Sequence, residues 1–252
     1  MVRGKLCLPG DDVVNIATLS MTNEESDPNY QVEQIQHPDP SYVAKATGPS
    51  TVITVTLPGN VTLKAVSIHN TNATTASIAS GAGLSQVIAI PALDPDGQRR
   101  GGWKDLDGVT GATDDVFTVT LSVVSGVVWV GRIALWVAAR AVNWEEGRDE
   151  GVLRPGNVAI TTRLGSIVHD DQGIRTRWFE MTFTLAEDAA IFRALEMSAK
   201  GAVLPFALVP DELVNDALWV NAPEAYTERL NAPGFASIPR RFVELSGGPP
   251  NG

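Results

Sequence analysis

Histidines are the first place to look for catalysis or a metal, and this chain has three, His37, His69 and His169. They lie far apart, and none stands in an HExxH-type spacing, where two imidazoles four residues apart share one helix face. His69 ends an alternating stretch and reads as a polar cap on a loop rim. His169-Asp170-Asp171 offers nitrogen and oxygen ligands, yet acids of this kind also make hairpin turns, and a hairpin tip is the expectation. Asp105-Leu106-Asp107-Gly108, with Asp114-Asp115 after it, has the outline of a calcium loop, because a hard cation needs several oxygens converging from a tight turn. Val109 and Val116 stand where an EF-hand needs a further oxygen ligand and its closing glutamate, so only a structural calcium stays open there. Gly165-Ser166-Ile167 lacks the second glycine of a nucleophile elbow. The glycine-rich run at 97–102 (GQRRGG) is not followed by the Lys-Ser/Thr that opens a helix in a phosphate cradle. Glu145-Glu146 and Asp149-Glu150 sit in a charged, solvated stretch, whereas a glycosidase needs two opposed acids on rigid elements, one of them desolvated. No catalytic, cofactor-binding or metal-ligating residue is assigned, and the chain is not expected to be an enzyme.

The six tryptophans say more about packing. Trp129 and Trp136 are seven residues apart, so an unbroken strand puts them on opposite faces, one in the core and one against a second domain. Trp178 falls on the face opposite Phe179, Met181 and Phe183. It is free to pack within the chain or against a neighbouring subunit.

The elements that must hold these residues are mostly strands. From 174 to 209 the chain reads as strand, helix, strand. Phe179, Met181 and Phe183 alternate with polar residues. Thr184 and Glu187 have capping-box spacing, Ile191, Phe192, Leu195 and Ala199 line one helix face, and Gly201 is placed to end the helix. Before it, strands are expected at Thr51–Leu57, Leu63–His69, Ser85–Ile90, Val116–Val124 and Gly126–Ala138, with turn residues between them, the pattern of an antiparallel sandwich. Residues 140–157 are charged and poor in apolar side chains, as a linker is. Val158–Arg163 and Arg175–Thr184 are expected to pair as a hairpin around 170–173. The predicted organisation is a β-sandwich at 1–140, a linker at 141–157, an α+β domain at 158–245 and a flexible tail at 246–252.

The 252 residues are 44% hydrophobic and 19% charged, a globular composition. The net charge of −10 argues against a surface that tracks phosphates, and so against nucleic acid as the main partner. A lone Cys7 excludes an internal disulfide and a cysteine-based zinc site. The first dozen residues lack the apolar run of a signal peptide, and Ser125, Gly126, Gly131 and Arg132 interrupt the longest apolar stretch, so no membrane insertion is expected.

In this order the features resemble tailed-bacteriophage proteins of the tail tip or baseplate. Ala17-Thr18-Leu19-Ser20, Tyr30–Glu33, Thr51–Leu57, Leu63–Asn70 and Val127–Trp136 resemble a discoidin or galactose-binding-like jelly roll, with His69-Asn70 following an ITVTL-like strand. Thr176–Glu180, the helix from Thr184 to Lys200 and Pro205–Leu208 resemble the small β-fold with one helix found in tail-tube, tail-completion and distal tail proteins. The resemblance implies a mainly β fold: a jelly-roll sandwich, then a tail-tube-like α+β domain that assembles into a ring, usually hexameric, around a DNA channel. It further implies a virion structural protein, assembled in the host cytoplasm, that joins the tail tube to the hub or fibres. Its partners would be itself, the neighbouring tail proteins and DNA only in transit. The alternatives are a carbohydrate-binding module for host glycans or a cell-wall hydrolase. Few aromatics are available to grip a sugar.

Overall fold

The computed structural model describes residues 2–91, 101–144, 149–153, 157–161, 167–171, 176–198, 204–210, 216–222, 229–232 and 235–245. In chain order the first strands are β1 (Val2–Cys7), β2 (Thr18–Met21), β3 (Ala44–Lys45), β4 (Ser50–Thr62), β5 (Ala65–Thr71), β6 (Thr75–Ser80) and β7 (Ser85–Ile88). Next come β8 (Gly101–Asp105), β9 (Thr113–Ser122), β10 (Trp129–Trp136), β11 (Arg140–Trp144), β12 (Asp149–Leu153), β13 (Asn157–Thr161) and β14 (Ile167–Asp171). The last part holds β15 (Thr176–Leu185), the helix α1 (Ala186–Ser198), β16 (Phe206–Val209), β17 (Asp216–Asn221), β18 (Arg229–Ala232) and β19 (Phe235–Glu244). The fold is mainly β, with one α-helix among the described residues.

Two antiparallel sheets make the N-terminal sandwich. One has the order β2-β4-β9-β6-β7, and the other runs β8-β5-β10-β3. Alternation decides which side of each strand is buried. In β4 the odd positions Ile53 and Val55 are buried, and in β9 Phe117, Val119 and Leu121 are. They meet Val66, Ile68, Val130 and Ile133 of the facing sheet in one aliphatic core.

The second body is a closed barrel. β1 pairs with β11 and β16, β11 with β15, β15 with β19, β19 with β17, and β17 with β16, so six strands close on themselves. Closure removes the free edges that would otherwise invite pairing with another chain. Its interior is filled, not open. Phe183 lies 4.5 Å, centroid to centroid, from Phe192 of α1, and Phe242 stands edge-on to both Phe183 and Phe206. Ala189, Phe192 and Leu195, at three-residue spacing, form the buried stripe of α1, while Ile191 is half-buried. An ion pair from Arg240 to Glu196 ties β19 to the helix.

Several expectations change. The segment expected as a linker carries β11 and β12: Val142 and Trp144 are buried in the barrel, and β12 pairs with β15. Composition misled here because a strand wedged between two neighbours needs only alternate apolar residues. β1, expected in the sandwich, is a barrel strand. β13 pairs with β14 in a two-stranded sheet of its own, so Asp170 and Asp171 lie along a strand and not at a hairpin tip. The helix begins at Ala186, one residue later than a Thr184 cap would set it. The side chains of Trp178, Phe179, Thr184 and Glu187, together with Ala199, Gly201 and the tail at 246–252, lie outside the described residues.

Candidate functional site

Sandwich and barrel share one sheet. β17 of the barrel pairs with β8 of the sandwich, Asp216 opposite Gly102 and Ala217 opposite Gly101. A Cβ on Gly101 would overlap the Ala217 carbonyl and come within 2.6 Å of His69 Nδ1. Glycine is what allows this approach. Gly101 and Gly102 of the GQRRGG run thus serve close packing.

A chain of buried polar groups lies under this junction. Trp136 Nε1–H donates to Ser67 Oγ at 2.9 Å, and Ser67 Oγ is 2.9 Å from His69 Nε2. The His69 ring lies against Trp219, centroids 5.0 Å apart and planes tilted by 45°, and it is hydrogen-bonded with the Ala217 backbone. The Arg132 guanidinium stands 5.1 Å from the same indole, whose Nε1–H donates to the Pro38 carbonyl at 2.8 Å. Arg132 also donates to Ile35 O at 2.8 Å and Asn15 Oδ1 at 2.7 Å, and it forms a buried ion pair with Asp12. Asp12 Oδ1 in turn accepts the N–H groups of Val14 and Leu135.

Burial and the nearby Arg132 charge push the His69 pKa down to about 3, so this imidazole is neutral at physiological pH. Burial pushes the Asp12 carboxyl up from its usual range, against the pull of Arg132 and the two backbone donors. Cys7 is buried beside Trp136 and Trp219, and burial raises its thiol well above the ordinary value, which makes it a poor nucleophile. His69 is therefore a core histidine at an interface, not a cap on a loop rim. Of the two tryptophans in β10, Trp136 is the one that meets the barrel, while Trp129 is half-buried.

The same side chains hold the loop at 35–42. Arg132 and Trp219 bind its carbonyls from below, and Asn70 Nδ2 donates to Pro40 O at 2.6 Å. On top, the half-buried His37 ring and the exposed Tyr42 ring stand 3.9 Å apart at 38°. Asp39 N–H donates to His37 Nδ1 at 3.1 Å, and Ser41 N–H to Asp39 Oδ1 at 2.9 Å, so the loop is braced from within. Sequence reading missed this pair, although two aromatic rings in a proline-bracketed segment (His37-Pro38 to Pro40-Ser41-Tyr42) were a usable signal.

A cavity of about 200 Å³ also lies on the seam, lined by Lys5, Lys64, Asp105, Asp107 and residues 137–139. Lys5 pairs with Asp105, and Lys64 Nζ with Asp107 Oδ1 at 2.7 Å. The Lys64 hydrogen bond and charge hold Asp107 below the usual carboxylate range. These acids, read as a calcium outline, are matched by lysines. Asp114 is turned to the Ala82 N–H and its own neighbours instead. No three histidine, cysteine or acidic side chains converge for a metal among the described residues. No helix there is long and apolar enough to cross a membrane. Residues 97–100, Glu145, Glu146, Gly165 and Ser166 lie outside the described residues, as do the side chains of Asp149, Glu150, His169, Asp170 and Asp171.

No protein-family model matches the chain, and no curated protein matches it. Among solved structures it is similar to an alpha-L-fucosidase, described as putative, from Bacteroides thetaiotaomicron (13% identity, TM-score 0.39). That match covers 51% of this chain and 29% of the fucosidase, so the chain spans under a third of that protein's length. It is also similar to a family 32 carbohydrate-binding module from C. perfringens NanJ in complex with galactose (13% identity, TM-score 0.38, 52% of this chain and 98% of the module). A chitosan-binding module from Paenibacillus sp. IK-5 shows 13% identity and a TM-score of 0.35, over 50% of this chain and 98% of the module. Likenesses this slight assign no ligand to the chain.

Proposed function

We propose that this chain is an architectural protein that carries out no reaction, and more finely a subunit of a tailed-phage tail tip that joins the tube to the hub or fibres. The observation that carries the architectural reading is the β8–β17 pairing. It runs one sheet from sandwich into barrel, over a buried polar chain whose side chains bond mainly to one another and to the backbone beside them. A part that transmits position between neighbours gains from such a junction, whereas an enzyme needs polar groups left open to a substrate. The tail-tip assignment adds to this the resemblance of the sequence. In a ring of copies the DNA passage would lie between subunits, because each barrel is filled by its own side chains. Particle imaging and mass measurement test it. Rings of the purified chain, and its presence at the distal end of virions, are expected; a chain absent from particles and never above a dimer overturns the tail-tip reading.

A second reading is favoured by one feature, the exposed Tyr42 ring backed by His37 on its braced loop. Rings presented in this way stack on the C–H face of a sugar, so the sandwich would grip a host glycan. A glycan array tests this: binding that Tyr42→Ala removes supports it, and an array without hits rejects it.

A further inference from the structure

The outer face of the five-stranded sheet is unusual for an acidic protein. Its cross-strand rows can be read from the register. Ser20, Thr54, Thr118 and Ala79 stand side by side in one row, and Val52, Thr120, Ser77 and Val87 in the next. Thr18, Thr56 and Val116 continue the face on one side. Ser50 and Ser122 bound it on the other, their hydroxyls 2.9 Å apart. None of these residues is charged, although the chain carries 19 basic and 29 acidic residues. Asp114 marks the rim, and its carboxylate is bound to the Ala82 N–H. Val87 on the edge strand is 72% exposed.

We infer that this Thr/Ser/Val face is a self-association surface, on which a second copy of the chain packs its own five-stranded sheet about a two-fold axis. Three arguments carry it. Two chains of net charge −10 repel wherever acidic surfaces approach, so the uncharged face is where two copies come together at least electrostatic cost. Hydroxyls both donate and accept, so rows of Thr and Ser are complementary to themselves, as an isologous contact requires. The β-branched side chains give the stiff, regular surface on which sheets stack about 10 Å apart.

The size fits a modest dimer. Five strands at about 4.8 Å spacing and some seven residues at about 3.3 Å each make a face of roughly 500 Å². Two such faces bury roughly 1,000 Å², at the lower limit for a specific interface and in the range of weak, transient pairs. This surface is distinct from any ring contact of the barrel, so the inference does not depend on the tail-tip reading.

Sedimentation of the full chain across a concentration series tests it, with Thr118→Lys at the centre of the face, Thr56→Lys on its exposed side and Ser26→Lys in a loop away from it. The expected result is a concentration-dependent pairing, weakened on the order of tenfold or more by either face variant, since each substitution enters a two-fold contact twice. Ser26→Lys should pair like the parent. Thr56 is exposed, so its variant keeps the experiment decisive if Thr118→Lys folds poorly. Absence of pairing in the parent, or pairing that survives both face variants, overturns the inference. A six-fold species insensitive to Thr118→Lys would reject this face and leave the ring reading standing. A dimer sensitive to it would support this face and leave the ring reading to its own test.

Discussion

The sandwich and the barrel are built from the same antiparallel pairing, yet they differ in where their strands come from. Every sandwich strand lies between residues 18 and 136, and its neighbours in each sheet are drawn from that span, β17 apart. The barrel takes its first strand from residues 2–7 and its last from 235–244, so the two ends of the chain close it around the rest. Their cores differ as well. The sandwich core is mainly aliphatic, while the barrel is filled by phenylalanines from three strands and a helix. A local, aliphatic body can form early from near neighbours, whereas the barrel pays loop-closure entropy before its aromatic contacts form.

Removing β1 should break the comparison most severely. Without residues 2–7, β11 and β16 lose their common neighbour, so a chain starting at residue 8, or the piece 158–245 alone, should lose the barrel altogether. Near-ultraviolet circular dichroism should show the loss of aromatic packing while sandwich secondary structure persists; a truncated chain with full aromatic signal would contradict the closure argument.

A charge placed in each core sharpens the contrast. Phe192→Asp puts a carboxylate between Phe183 and the barrel wall, where an unpaired charge costs many kcal/mol unless the site opens. Phe117→Asp does the same within the sandwich. The first should abolish barrel folding and spare the sandwich. The second should abolish both, because the barrel leans on β8 through β17. Two-probe denaturation would decide between this order and its reverse.

Acid should act on the seam before either core. His69 binds a proton only near pH 3 when folded, against about 6.5 in an unfolded chain, so between these values the unfolded state holds more protons and stability falls as pH falls. The shift is worth up to roughly 4–5 kcal/mol at pH 3, most of it lost below pH 6. Asp12, whose pKa is raised by burial, works in the opposite sense in the acid range and softens the slope. His69→Gln should flatten the dependence below pH 6. A stability that is level from pH 7 to 4 in the parent would mean that His69 is already hydrated.

How much of this was readable beforehand follows from the range of the interactions. β4 and β9 declare themselves because a two-residue period records burial on one face, and Ile191, Phe192 and Leu195 mark the helix by a local period too. The barrel strands β1 and β11 do not, since their burial depends on partners up to two hundred residues away, and Arg140 and Asn143 between apolar residues look like a linker. His69 and Arg132 were misplaced or passed over for the same reason: only Trp219, 150 residues further on, turns a strand-end histidine into a buried one. Gly101 and Gly102 were set aside once a phosphate cradle was rejected, and their packing role went unread, because composition cannot say what comes close to a backbone.

Those glycines give the smallest and most discriminating test. Gly101→Ala keeps an ordinary backbone but sets a methyl group into the Ala217 carbonyl and against His69, both fixed by their own hydrogen bonds. β17 must shift, at a cost of about 1–3 kcal/mol, typical of overpacking. Gly10→Ala, where nothing lies within 4 Å, is the control and should be nearly neutral. If the seam couples the two bodies, Gly101→Ala should lower the barrel transition in urea more than the sandwich transition and pull the two apart, since the sandwich keeps its own closed set of neighbours. Equal loss in both transitions would mean that the sheet junction is incidental and that the buried Arg132, His69 and Trp219 cluster joins the bodies by itself.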